Sequence, residues 1–209
     1  MSANRNIRII GLTGGIGSGK SMAAAYLEEK GAHCVDADAI SHSLTAPNGA
    51  LLPEIRREFG DGVFFEDGTL NRAELGRIVF SDENQRKRLE YITMPAIQGE
   101  MMNRIDELDA AGEKLVFLNV PLLFETGIDV LCDEIWLVSV NEDIQLQRVM
   151  SRDGLTEEQA RDRIRSQMTL EEKTARATTV IDNNRSIEKM YSELDSHYAA
   201  LLKRVQREG

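Results

Sequence analysis

Cysteine is scarce in this chain. Its only two, Cys34 and Cys132, stand far apart and without C-x-x-C spacing. That excludes a disulfide framework and a cysteine zinc site, and leaves two thiols expected to be ordinary buried side chains. Proline is limited to four residues, while 42% of the chain is hydrophobic and 29% charged. The composition is therefore that of a folded globular protein, neither disordered nor fibrous. Long apolar runs are missing as well. The first one, Ile7 to Ile10, is interrupted by Arg8, too short and too polar for a secretory leader or a membrane span, which points to the cytoplasm and to no membrane partner. Positive charge is in deficit, with 25 Lys and Arg against 35 Asp and Glu for a net charge of −10. Such a field repels polyanions, so no nucleic-acid partner is expected, although a small anion can still bind through local cations and backbone amides. Internal repeats and low-complexity tracts are absent, and no motif points to an obligate protein partner.

What the chain does have is glycine concentrated in one place. "GLTGGIGSGKS", Gly11 to Ser21, follows an apolar run and precedes a helical pattern. Gly14-x-x-x-x-Gly19-Lys20-Ser21 is the P-loop pattern in the strand–helix context it requires. Glycines let successive N–H groups turn inward around an anion, and the helix that follows adds its positive end. Residues Gly14, Gly15, Ile16, Gly17, Ser18, Gly19, Lys20, Ser21 and Met22 are thus the expected nucleotide-binding loop. Lys20 is expected to reach the β- and γ-phosphates and the Ser21 hydroxyl to coordinate Mg²⁺, which keeps waters and leans on phosphate oxygens.

The rest of the chain reads as an α/β fold: a parallel sheet flanked by helices, with a helical insertion and a lid. Strands are expected at Ile7–Thr13, Ala32–Asp36, Lys114–Val120, Glu134–Val140 and Thr178–Asp182, and a helix at Lys20–Lys30 ending at Gly31. A last helix should begin after Ser186, burying Ile187, Met190, Tyr191, Leu194, Tyr198, Leu201 and Val205 on one face. The nucleotide-binding core is accordingly placed at residues 1–44, 112–140 and 178–209. Residues 45–111 form the helical insertion, with helices at Leu51–Phe59 and Arg72–Phe80, and a stretch from Ser81 that Pro95 should break or kink. Residues 141–177, rich in arginine, carry the capping-box patterns Thr156–Gln159 and Thr169–Glu172 and form the candidate lid.

P-loops serve several classes of protein, and other stretches separate them. Asn-Lys-x-Asp, which reads guanine, is missing, and Asp109-Ala-Ala-Gly112 precedes a strand and so reads as a helix end and turn. The Leu-Ser-Gly-Gly-Gln-type signature of transporter ATPases is missing too. A small-molecule kinase remains, its acceptor unnamed, beside a nucleotide-binding protein without turnover.

Asp36 and Asp38, in "VDADAISHSL", follow the second strand at the carboxyl edge of the sheet, where α/β proteins assemble their sites. A carboxylate there can accept a proton from an attacking hydroxyl, or either acid can merely cap the next helix. Arg148 and Arg152 stand four residues apart on one helical face and can neutralise charge on a phosphoryl group in transfer. Arg161, Arg163, Arg165 and Arg176 read more simply as surface partners of nearby glutamates.

"LTGGIGSGKS", "VDADAISH", "DGTLNRAELGRIVF", "PLLFETG", "QRVMSRDGLTEEQARDRIRSQM" and "VIDNN" occur in an order and spacing that resemble those of the dephospho-CoA kinases, from about residue 8 to about residue 185. The resemblance implies transfer of the ATP γ-phosphate to the ribose 3′-hydroxyl of dephospho-CoA, with a CoA-binding helical insertion and a lid. It implies Asp38 as the residue that activates the hydroxyl, with Lys20, Arg148 and Arg152 stabilising the phosphoryl group. Asn183 and Asn184 would lie near adenine, and His42, Leu122, Leu123 and Glu125 on the acceptor side. Met22, Met94 and Arg185 stand where the family commonly has Thr, His and Gly. A kinase of another nucleotide or nucleoside is the alternative.

Overall fold

The computed structural model describes residues 5–208; residues 1–4 and 209 of the expected core segments lie outside the described residues. Alternation of apolar runs with amphipathic helices produces a five-stranded sheet in the order β2-β3-β1-β4-β5, comprising β1 (Arg8–Gly14), β2 (Cys34–Asp36), β3 (Leu115–Asn119), β4 (Glu134–Ser139) and β5 (Thr179–Asp182). Strand β1 pairs in parallel with β3 on one side and β4 on the other, and β4 pairs in parallel with β5. Every residue of β3 is buried, as are the last six of β1, as expected of strands covered on both faces. A carboxyl edge whose first strand lies between β3 and β4 is a topological switch point, where open α/β sheets bind ligands.

The chain divides into two compact units, one formed by the residues up to 35 and from 107 onward, the other by residues 36–106. In the first, α1 (Lys20–Glu29) and α9 (Ile187–Glu208) pack on the sheet: Ala23, Ala24 and Leu27 meet Met190, Leu194, Tyr198 and Leu201 over Ile10, Phe117 and Trp136. The α9 stripe is thus a packing face, and it ends its first turn with Tyr191 stacked on Tyr26 at 3.9 Å. Between β4 and β5 run α6 (Glu142–Asp153), α7 (Glu157–Arg165) and α8 (Leu170–Arg176), and both expected capping boxes form, at Thr156 with Gln159 and at Thr169 with Glu172. Among the described residues no helix is long and apolar enough to cross a membrane.

The second unit holds α2 (Ala37–Leu44), α3 (Leu52–Phe59), α4 (Arg72–Ser81) and most of α5 (Glu83–Ala110), around a core of Leu51, Ile55, Val63, Leu75 and Val79. Here the expected break does not occur. Pro95 neither ends nor divides the helix, since α5 runs through it from Glu83 to Ala110. A proline inside a helix costs about 3 kcal/mol. Burial offsets that cost, because Ile92 and Ala96 pack on the unit's core while Ile97, Met101 and Ile105 are buried farther along. The cysteines also differ from expectation, both being half-buried: Cys34 begins the edge strand β2 and Cys132 precedes β4.

Candidate active site

Lys20 begins α1 directly after the glycine-rich turn, so the chain leaves β1, reverses, and presents a helix N-terminus at the carboxyl edge of the sheet. The reversal needs glycine at two places. Gly17 and Gly19 have φ of 74° and 93°, the left-handed region that other residues avoid. A Cβ on Gly19 would also run into the Asn183 side chain, and one on Gly14 would lie 2.8 Å from the Val138 carbonyl oxygen. Lys20 is 8% exposed and donates from Nζ to Asn119 Oδ1 at 2.5 Å, at the end of β3. Ser21 and Met22 follow on the exposed side of the first turn of α1.

Side chains from distant segments hold this loop. Arg148, on α6, donates to the carbonyls of Gly17 at 3.4 Å and Asn183 at 3.2 Å. Buried Asn183 donates from Nδ2 to Ser18 O at 2.7 Å, so its amide is a brace of the loop. Asn184 turns the other way: its Oδ1 accepts from Asn141 N at 2.7 Å, ahead of α6. Arg152 shares α6 with Arg148 but is engaged by Asp153 through two bonds of 2.7 and 2.9 Å. That pairing holds the Asp153 carboxyl below the usual carboxylate range, with Arg163 adding to the effect, and raises Arg152 in turn.

In the segment after β3, Leu122 is exposed and Leu123 wholly buried. Glu125 accepts at Oε1 from Met168 N at 2.9 Å and pairs at 2.9 Å with Lys173, whose side chain is 1% exposed. Arg176 adds an ion pair to Asp129 at 2.5 Å and lies over the Phe124 ring at 4.4 Å. α8 is therefore tied to the β3–β4 connection by two cations.

In the second unit, Asp36 N-caps α2, accepting at Oδ1 from Ala39 N at 2.8 Å. Asp38 lies in the first turn of α2 and His42 in the last, both exposed, and the His42 carbonyl accepts from Arg72 at 3.3 Å. The capping task thus falls to Asp36, the acid next to it in the motif.

The chain matches the family described as Dephospho-CoA kinase over residues 8–189. It is 44% identical to a dephospho-CoA kinase of Symbiobacterium thermophilum, over 93% of this chain and 81% of that one. The chain belongs to the dephospho-CoA kinase family. Its fold is also similar to that of a dephospho-CoA kinase from Campylobacter jejuni, with 28% identity, 93% of this chain and 97% of the other covered, and a TM-score of 0.71. A shikimate kinase from Acinetobacter baumannii, 16% identical over 95% and 94% of the two chains with a TM-score of 0.53, shares the fold. As a dephospho-CoA kinase the chain is a phosphotransferase with ATP as donor, acting in the final step of coenzyme A biosynthesis.

Four residues that contact the candidate site residues escaped the sequence reading: Asn119, Gln145, Gln167 and Lys173. Asn119 is the one polar residue closing an apolar strand, a visible signal. Gln145 precedes Arg148 by one helical turn, whereas Gln167 and Lys173 look like surface residues until the fold brings their partners to them.

Proposed function

We propose that the enzyme transfers the ATP γ-phosphate directly to the ribose 3′-hydroxyl of dephospho-CoA, with Asp38 accepting the hydroxyl proton. The observation that carries the donor half is the loop of residues 14–22, closed by left-handed Gly17 and Gly19 and followed by buried Lys20 at a helix N-terminus. Donors preset in this way stabilise charge that develops on the transferred group without reorganising during the reaction. Arg148, whose guanidinium already lies at the Gly17 carbonyl, is the arginine nearest the loop, and Arg152 would have to exchange Asp153 for phosphate.

Asp38 is supported by its position in the motif. Asp36 has its Oδ1 engaged as the cap of α2, and Asp38 stands two residues on, exposed, in the first turn of the helix that follows β2. His42, Leu122 and Glu125 are proposed on the acceptor side, and residues 45–111 as the acceptor-binding insertion. Leu123 would act through packing, since its side chain is buried. Asn183 and Asn184 are proposed to border the adenine through backbone atoms, their side chains being engaged by Ser18 and Asn141.

Magnesium is proposed to accompany ATP. Among the described residues no cluster of three or more His, Cys, Asp or Glu could hold a metal. The Ser21 hydroxyl, exposed in the first turn of α1, suits an ion that takes most of its ligands from phosphate oxygens and water. When bound, the ion would neutralise charge on the β- and γ-phosphates. Residues 141–177 are proposed as the lid. The Lys173–Glu125 and Arg176–Asp129 pairs anchor α8 and Gln167 is tied to Ile16, so the closing movement belongs to α7 and the turn before it.

Acceptor ranking tests this reading. With Mg-ATP and coupled detection of ADP, dephospho-CoA should give a far higher kcat/KM than nucleosides or nucleoside monophosphates. A higher value for one of those would assign the chain to another acceptor.

A further inference from the structure

Three successive carbonyls of the donor loop accept bonds from side chains outside it. Gln145 Nε2 donates to Ile16 O at 2.8 Å, Arg148 Nη1 to Gly17 O at 3.4 Å and Asn183 Nδ2 to Ser18 O at 2.7 Å. On the other side of the same residue, the Ile16 N–H donates to Gln167 Oε1 at 2.9 Å. A carbonyl can only accept and an N–H can only donate, so the partners themselves decide which end of each glutamine amide faces the loop.

We propose that Gln145 and Gln167 are positioning residues for phosphoryl transfer, fixing the two peptide planes that flank Ile16 so that the loop holds its phosphate-binding shape before nucleotide arrives. The inference rests on the reading of residues 14–22 as the donor loop. Fixing both planes fixes the backbone of Ile16, and the next residue is Gly17 at φ 74°, where the chain turns back toward the helix. Glycine alone would leave that turn loose, since its freedom is what the loop must lose when phosphate binds.

Two further observations support the arrangement. A Cβ on Gly15 would lie 2.8 Å from Gln145 Nε2, so the absence of a side chain there is what lets the glutamine reach Ile16. The Ile16 side chain in turn packs on the small cluster of Leu146, Val149 and Ala160, which joins α6 and α7. Gln167 is itself held: the next residue, Met168, donates its N–H to Glu125, and α8 beyond it is anchored by Lys173. The glutamines therefore stand on supported segments.

Gln145→Met and Gln167→Met keep length and remove the amide. Each should weaken equilibrium ATP binding, measured by calorimetry without acceptor, about five- to tenfold, the scale of one lost hydrogen bond with its backbone partner left wanting. The KM for ATP should rise in parallel, while the KM for dephospho-CoA stays within about twofold of wild type. The double variant should lose less than the product of the single losses, because both act on one residue. ATP affinity within about twofold of wild type in both single variants would overturn the inference, as would equal rises in both KM values together with a lowered melting temperature. A wild-type chain that binds no ATP would instead remove the donor-loop reading on which the inference stands.

Discussion

Lys20 Nζ donates to Asn119 Oδ1 across 2.5 Å, joining the first residue of α1 to the last residue of β3 with both side chains buried. The bond places the ammonium at the last residue of β3 and gives a desolvated cation a dipolar partner. Lys20→Met should lower turnover about 10²- to 10³-fold, the typical loss for one preorganised electrostatic donor. Its melting temperature should fall by several degrees, because the substitution takes the Lys20 donor away from the buried Asn119 Oδ1. Coupled ADP release and thermal denaturation check the two halves separately.

Glu125 and Lys173 are unequally buried, and their variants should differ for that reason. Glu125→Gln leaves the Lys173 ammonium, 1% exposed, without its counter-charge and should cost about 3 kcal/mol by urea denaturation. Lys173→Met leaves a carboxylate whose side chain is 20% exposed and can rehydrate, so its cost should be about half as large. The combined Lys173→Met, Glu125→Leu variant should recover part of the loss.

Burial pushes the Cys132 thiol up to about 12, and the nearby Asp129 and Asp133 carboxylates act in the same direction. A thiol that binds its proton more tightly folded than unfolded stabilises the fold fully below its unfolded pKa, near 9, and loses that contribution as pH rises toward 12. Between those values the stability of wild type relative to Cys132→Ala should fall by about 1.4 kcal/mol per pH unit. Urea denaturation at several alkaline pH values reads the slope. Below pH 9 the difference between the two proteins should be flat.

Legibility in the sequence followed how local each cause was. The glycine-rich turn between β1 and α1 was readable because glycine spacing, Lys20, Ser21 and the preceding apolar run are contiguous. The capping boxes at Thr156 and Thr169 were readable for the same reason: each is complete within four residues. The α9 stripe was readable because its period repeats over six turns.

The helix continues through Pro95 because the proline penalty is local, whereas the packing of Ile92, Ala96, Ile97 and Met101 that offsets it is not. Gln145 and Gln167 were unreadable for a related reason. A glutamine in an arginine-rich helical stretch is ordinarily solvated, and only the folded chain brings Ile16 between these two. Lys173 is the extreme case, a cation in a polar helix that is buried because Glu125, from another connection, meets it. The acceptor was read through resemblance alone, since no single residue type marks a ribose hydroxyl.

Asp38→Asn tests the central claim most directly. It removes the proposed proton acceptor from an exposed position in the first turn of α2, with the cap of that helix supplied by Asp36. With Mg-ATP and saturating dephospho-CoA, turnover should fall about 10²- to 10⁴-fold while the equilibrium affinity for ATP stays within about twofold of wild type. Turnover equal to wild type would contradict the role assigned to Asp38, and a parallel collapse of ATP affinity would place it in donor binding instead.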